Sequence, residues 1–230
     1  MAPDLKEYDQ EQVRLMEEMC IVIDENDKRI GADSKKTSLY FFCHLMTNID
    51  QGLLHRAFSV FLFDSQNRLL LQQRASEKIT FPDMWTNTCC SHPLNTPSEL
   101  IEEDQLGVRT AAQRKLQHEL GIIPEQVPLD KFKYLTRIHY VAPSDGQWGE
   151  HEIDYILFMK ADVTLQVNPN EIRDVKYVTA EELEAMFKDP NIPMTPWFKL
   201  ICNTFLFKWW KQLDTIESIE PDHTIHRLGF

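Results

Sequence analysis

Hydrophobic positions along this chain change period several times, and the changes mark its elements. Glu11 to Met19 reads as a short opening helix, and Cys20-Ile21-Val22-Ile23-Asp24 as a strand closed by the turn-prone Glu25-Asn26-Asp27. Ala57 to Phe63 and Arg68 to Arg74 predict a second strand pair across Asp64-Ser65-Gln66-Asn67, with β-branched and aromatic residues on the first arm. From Val108 to Leu120 the apolar positions Val108, Ala112, Leu116 and Leu120 recur every four residues, which predicts an amphipathic helix stopped by Gly121. Strands resume at Tyr134 to Ala142, Ile153 to Met159 and, briefly, Val175 to Val178. Thr179-Ala180-Glu181-Glu182 is a capping-box start for a helix to about Phe187. A last helix opens with Thr195 as cap and Pro196 at its first position, with Trp197, Ile201, Phe205 and Trp209 on one stripe. The acidic tail after Leu213 reads as loosely held. Strand pairs with helices between them predict an α+β fold, an α/β/α sandwich around a mixed, largely antiparallel sheet.

Composition narrows the partners. At 230 residues the chain suits a single catalytic domain, 1–230, with N-terminal and C-terminal extensions. A net charge of −12 counts against a nucleic-acid or anionic-membrane partner, leaving room only for a local basic pocket. Five cysteines, an odd number, with no signal peptide ahead of them argue for reduced thiols and a reducing compartment. The longest apolar runs, around Ser59, fall far short of the roughly 20 residues a spanning helix needs. No glycine-rich phosphate loop is present.

Two stretches look like neither core nor surface. In Thr86-Asn87-Thr88-Cys89-Cys90-Ser91-His92-Pro93 a thiol lies two residues from an imidazole, and in Trp148-Gly149-Glu150-His151-Glu152 two carboxylates share that spacing. Residues at i and i+2 of an extended segment share a face, so Cys90 and His92, and Glu150 and Glu152, can each aim at one point. Taken singly, Cys90 reads as a buried inert thiol, the glutamates as a solvated strand edge, and His44 and His55 as ordinary histidines. As a set, His44, His55, His92, Glu150 and Glu152 suit an octahedral divalent ion better than a zinc finger, because no paired C-x-x-C spacing exists. His118, His139, His151, His223 and His226 read as structural or exposed.

These stretches, together with Gly52-Leu53-Leu54-His55-Arg56-Ala57-Phe58-Ser59-Val60, Thr195-Pro196-Trp197-Phe198 and Phe207-Lys208-Trp209-Trp210, resemble the type I isopentenyl-diphosphate delta-isomerases from about Glu11 to His226. The resemblance implies a Nudix-like fold with the Nudix helix over Val108 to Ile122. Against the pattern G-x5-E-x7-R-E-U-x-E-E-x-G-U, the chain keeps Arg114, Leu116, Glu119 and Gly121 and departs at Leu100, Leu106, Lys115 and His118. Most carboxylates that hydrolytic members use to gather magnesium are thereby absent. The implied reaction is the 1,3-allylic proton shift between isopentenyl diphosphate and dimethylallyl diphosphate, at the entry to isoprenoid and sterol biosynthesis.

By the same resemblance, Cys90 and Glu152 are the acid and base, in an order the sequence leaves open. Tyr140 hydrogen-bonds the glutamate, and Trp197 faces the carbocation, an interaction worth about 2 kcal/mol when desolvated. His44, His55, His92, Glu150 and Glu152 hold a divalent ion, zinc or manganese, and Glu119 binds a magnesium ion bridging to the diphosphate. Lys35, Arg74, Lys78 and Ser91 are the diphosphate contacts. The implied protein is a cytoplasmic monomer or weak dimer. A peroxisomal destination is the alternative, for which Leu228-Gly229-Phe230 is no S-K-L signal. Two segments depart from the family pattern. Thr37-Ser38-Leu39-Tyr40-Phe41-Phe42 is longer than expected and lines the pocket, forms a lid or packs on another subunit; Asp83 stands where glycine is expected. The rival readings are a Nudix-type diphosphate hydrolase and a binding protein that has lost catalysis.

Overall fold

The computed structural model describes residues 5–40, 52–145 and 147–229. Helix α1 (Gln10–Leu15) is capped by Asp9, whose carboxylate accepts from the amides of Glu11 and Gln12. It ends earlier than its apolar spacing suggests, because Met19 already pairs with Ser34 in the sheet. Strands β1 (Met19–Ile23) and β2 (Arg29–Ser34) form a hairpin. In its turn Asp24 Oδ1 accepts from the amides of Asn26 and Lys28, and Asp27 takes a left-handed φ of 65°. The short helix α2 (Lys35–Leu39) follows directly, capped by Ser34.

The same device recurs between β3 (His55–Phe63) and β4 (Leu69–Arg74), where Asp64 Oδ1 accepts from Gln66 and Arg68 and Asn67 has φ 61°. The turn is as expected, but the two strands meet only at Phe63 and Leu69 and then diverge. Strand β4 pairs instead with β9 (Ile172–Val178) and the short β5 (Trp85–Thr86), while β3 pairs with β6 (Cys89–Ser91). The other edge of β3 runs parallel to β8 (Gly149–Lys160) over nine register pairs, and β8 is antiparallel to β7 (Lys133–Pro143). The sheet is therefore mixed, with a parallel pair, β3 and β8, in the middle. Strand β3 is buried along its whole length, as a parallel central strand covered on both faces must be.

Alternate residues of β3 serve two cores. Phe58, Val60 and Leu62 pack with Ala111, Ala112, Leu116 and Leu120 of α3 (Leu106–Leu120), whereas Phe61 and Phe63 pack with Phe198, Leu206 and Trp210 on the opposite side. This is the expected sandwich. Gly121 ends α3 at φ 67°, and a Cβ there would stand 2.4 Å from the Gln166 carbonyl oxygen.

Helix α4 (Ala180–Lys188) carries the full Thr179/Glu182 capping box. Helix α5 (Pro196–Ile201) starts where Thr195 and Pro196 predict, but the Thr195 hydroxyl bonds Thr86 Oγ1 at 2.8 Å rather than capping the helix. A π-helical stretch, Cys202–Leu206, then rotates the register before α6 (Phe207–Trp210). Leu206 and Trp210 consequently carry the buried face, while Phe205 and Trp209 stack on each other with ring centroids 4.9 Å apart, in half-buried positions. The tail is held more firmly than its polarity suggests. Leu213 and Ile216 are buried, and β10 (Ile225–Arg227) adds to β7 in parallel.

Candidate active site

Sheet register assembles the site. In β3, β7 and β8 the cross-strand partners His55↔Glu152 and Tyr140↔Glu152 put three functional side chains on one face, and Glu150 joins them from two residues upstream. Pairing of β6 with β3 sets Cys90 beside Ser59, and His92 follows one residue beyond the strand. One pocket is lined by Cys90, Ser91 and His92, by Tyr140, Glu150 and Glu152, by Lys35, Arg74 and Lys78, and by Glu119 and Trp197. All of the predicted site residues that the structure describes converge there, except His55, which lies immediately beneath. His44, the remaining predicted ligand, and Phe41 and Phe42 of the longer segment lie outside the described residues.

His55, His92, Glu150 and Glu152 are all buried, with candidate ligand atoms within 4.8 Å of one another. His55 Nε2 stands 3.5 Å from Glu152 and 3.7 Å from Glu150, and His92 Nε2 is 2.7 Å from Glu152 Oε1. On the far side of its ring, His55 Nδ1 is 2.7 Å from the Leu53 carbonyl oxygen, so Nδ1 holds the proton and Nε2 offers its lone pair to the cluster. His55 Nε2 and Glu150 Oε2 are buried with no hydrogen-bond partner. Two carboxylates and two imidazoles, with one unpartnered buried atom on His55 and one on Glu150, form a donor set that could hold a divalent cation. The electrostatics agree. Burial alone would lower His55, yet Glu150 and Glu152 push it up to about 10, so without a metal the cluster recruits a proton as its cation. Burial opposes the charge on Glu152, but His55 and His92 hold it below the ordinary carboxylate range.

Cys90 faces this cluster in a different state. Burial pushes its thiol up to about 12 against the opposing pull of Arg74, so it carries its proton at neutral pH. The polar neighbours that single this stretch out in the sequence turn out to be struts. Asn87 ties the stretch to Val60 and Cys89 through its amide NH2 and accepts from Trp197 Nε1 at 3.2 Å; Thr88 bonds Leu70 and Leu62 of the adjoining strands. Trp197 is thereby fixed with its ring edge-on to Phe81 at 5.1 Å and 6.2 Å from Tyr140.

The cationic end of the pocket is built equally firmly. Arg74 donates to the carbonyls of Thr80 and Phe81, and its guanidinium lies 5.8 Å from the Trp197 ring centroid. That loop is strained: Phe81 and Asp83 both have left-handed φ, 48° and 60°. The geometry accounts for the departure from glycine at position 83, since aspartate tolerates this region and its carboxylate accepts from Ser76 at 2.7 Å and Arg173 at 2.7 Å. Lys35 reaches the pocket from the first turn of α2 despite the longer segment behind it. Within that segment Ser38 and Leu39 are buried, and Tyr40 packs edge-on against Trp148 at 5.7 Å.

Glu119 accepts from Gln72 Nε2 at 3.0 Å, while Lys115, one turn earlier and in place of a Nudix carboxylate, pairs with it at 3.1 Å. Hydrolytic carboxylates have been exchanged for an internal counter-ion. Two participants escape the sequence: Lys115, whose departure from the pattern signals only a loss, and Glu171, which pairs with Lys78 at 2.6 Å from a loop with no local motif. His139 and His151, read as structural, form a stacked pair at 5.1 Å.

Residues 53–198 match the family model of the NUDIX domain. The isopentenyl-diphosphate delta-isomerase of Aspergillus fumigatus is 66% identical over 98% of this chain and 84% of its own length. Its counterpart in Schizosaccharomyces pombe is 61% identical over 96% of both chains, and that of Bos taurus is 58% identical over 96% of this chain and 97% of its own. A solved structure from Deinococcus radiodurans matches with a TM-score of 0.55 at 16% identity, covering 82% of this chain and 100% of that one, a likeness of fold alone.

Proposed function

The chain belongs to the NUDIX-domain family and, within it, to the isopentenyl-diphosphate delta-isomerases, and from this membership we propose how its pocket moves a proton. It is an isomerase that interconverts isopentenyl diphosphate and dimethylallyl diphosphate; the hydrolase reading gives way to it. The observation that carries the mechanism is that Cys90 and Glu152 line one pocket, where burial pushes the thiol up while His55 and His92, against burial, hold the carboxylate below its ordinary range.

Isomerisation needs one proton delivered to the terminal alkene carbon and another removed from the carbon two positions away. Cys90 enters as the thiol and delivers; Glu152 enters as the carboxylate and accepts, with Tyr140 donating to its Oε2 and able to relay the proton outward. Between the two transfers the substrate is a tertiary cation. We assign stabilisation of that charge to the Trp197 ring, which lines the pocket, and the apolar wall it makes with Phe81 would keep water from quenching the cation. Arg74, Lys78, Lys35 and Ser91 anchor the diphosphate.

His55, His92, Glu150 and Glu152, with His44, would hold zinc or manganese. When bound, that ion keeps the Glu152 carboxylate in place and tunes its basicity. Glu119 lines the same pocket with lone pairs beyond those used by Gln72 and Lys115, which fits a magnesium ion shared with the diphosphate. Among the described residues no helix is long and apolar enough to cross a membrane, and Cys20, Cys89, Cys90 and Cys202 are free thiols. The free thiols fit reducing surroundings, and we infer a cytoplasmic enzyme acting as a monomer or weak dimer. The test is incubation with isopentenyl diphosphate and magnesium. Dimethylallyl diphosphate without phosphate release supports the reading, and phosphate release without isomerisation contradicts it.

A further inference from the structure

We propose that Glu171 is a positioning residue for the substrate headgroup, a buried carboxylate that holds the Lys78 ammonium at the mouth of the diphosphate pocket and is itself anchored by the N-terminal helix through Gln12. The proposal rests on the reading that this pocket binds a diphosphate.

Glu171 is 2% exposed, yet it is a charged side chain in a loop, so its burial must be compensated by partners. Its Oε2 takes the Lys78 ammonium at 2.6 Å and stands 3.8 Å from Lys115; its Oε1 accepts from Gln12 Nε2 at 3.0 Å. Gln12 also donates to the carbonyl and side-chain oxygens of Asn170, and Asn170 returns a bond to Asp9, the cap of α1. The backbone closes the frame, with the Ala75 amide donating to the Glu171 carbonyl at 3.0 Å. The carboxylate therefore cannot follow Lys78 if the lysine moves.

An ammonium has three N–H donors. Lys78 gives one to Glu171, which fixes the direction of the other two, and Lys78 lines the pocket beside Arg74 and Lys35. Burial weighs most against the charge on Lys78, and the like charges of Arg74, Lys35 and Lys115 add to it. Glu171 is the neighbour that offsets this crowding, and it stands behind the lysine, outside the residues that line the pocket. Removing its charge would leave the lysine free to swing away from its crowded neighbours. Anchoring from α1 also gives the N-terminal segment a role in headgroup binding, although no residue of α1 lines the pocket itself.

The test uses the magnesium-loaded full chain with inorganic diphosphate as the calorimetric probe and isopentenyl diphosphate for kinetics. Glu171→Gln should weaken diphosphate binding and raise KM about tenfold, the scale of one charged hydrogen bond, while kcat stays within about threefold. In a cycle with Lys78→Met, the double variant should bind no more weakly than Lys78→Met alone. Gln12→Leu, which frees the carboxylate without removing it, should raise KM in the same direction by less. It decides the matter if Glu171→Gln does not fold. Unchanged or tighter binding in the variants, or full additivity with Lys78→Met, overturns the proposal. A wild type that binds no diphosphate overturns the underlying reading instead, and the inference with it.

Discussion

Tyr140 and Glu152 are register partners on neighbouring strands, and the Tyr140 hydroxyl donates to Glu152 Oε2 at 2.5 Å while His92 holds the other oxygen at 2.7 Å. Backbone pairing, not loop placement, thus sets the geometry of Glu152, the proposed base. Tyr140→Phe keeps the ring in its core position but deletes the hydroxyl that the proposed relay needs. Steady-state kinetics should show kcat lowered about 100-fold with KM little changed. A large rise in KM at full kcat would contradict this role.

Cys90 should be a slow nucleophile. Its thiol is pushed from 9.0 up to about 12 by burial, opposed by Arg74, so its thiolate fraction at pH 8 is small and grows about tenfold per pH unit up to that value. Alkylation by iodoacetamide, followed site by site with mass spectrometry, should climb through pH 11. A plateau near pH 9 would show an ordinary thiol.

Chelation should change both activity and pH dependence. Stripping the divalent ion is expected to abolish isomerisation and lower the melting temperature by several degrees, since the ligand-linked stabilisation is of the order of a few kcal/mol. In the stripped protein Glu150 and Glu152 raise His55 from 6.5 to about 10 against the effect of burial. A folded-state value above the unfolded one means stability that is complete below about pH 6.5 and is lost as pH rises towards 10. Calorimetry from pH 6 to 10 should show that decline in the stripped protein and its absence after metal is restored.

Gly121→Ala tests how α3 is ended. A methyl group at φ 67°, 2.4 Å from the Gln166 carbonyl, should cost about 1–3 kcal/mol in denaturant unfolding without altering KM. A neutral result would mean that the Gln166 loop yields freely.

Much of the fold is legible in local pattern, because helix ends and hairpin turns are written in adjacent residues: Thr179 with Glu182, Gly121 after Leu120, Asp24 and Asp64 at their turns. What local pattern hides is partner choice. Nothing near Leu69 says that β4 leaves β3 for β9, and the spacing of Trp197, Ile201, Phe205 and Trp209 cannot reveal a π-helical turn between them. The tail reads as loose because β10 is only three residues long and its partner lies some ninety residues away. For the site, Cys90, His92, Glu150 and Glu152 stand out since i, i+2 pairs share a face, and family likeness supplies Lys35, Arg74, Lys78, Glu119, Tyr140 and Trp197. Glu171 has neither signal. Its importance arises only when folding brings it against Lys78, ninety-three positions away.

In the proposed mechanism Cys90 delivers and Glu152 accepts the proton. NMR of isopentenyl diphosphate incubated in deuterated water with the magnesium-loaded enzyme tests it most directly, with Cys90→Ala and Glu152→Gln alongside. Deuterium-labelled dimethylallyl diphosphate is expected from the wild type and none from either variant, both remaining folded. Labelled product from Cys90→Ala at the wild-type rate, or inorganic phosphate in place of the isomer, would contradict it.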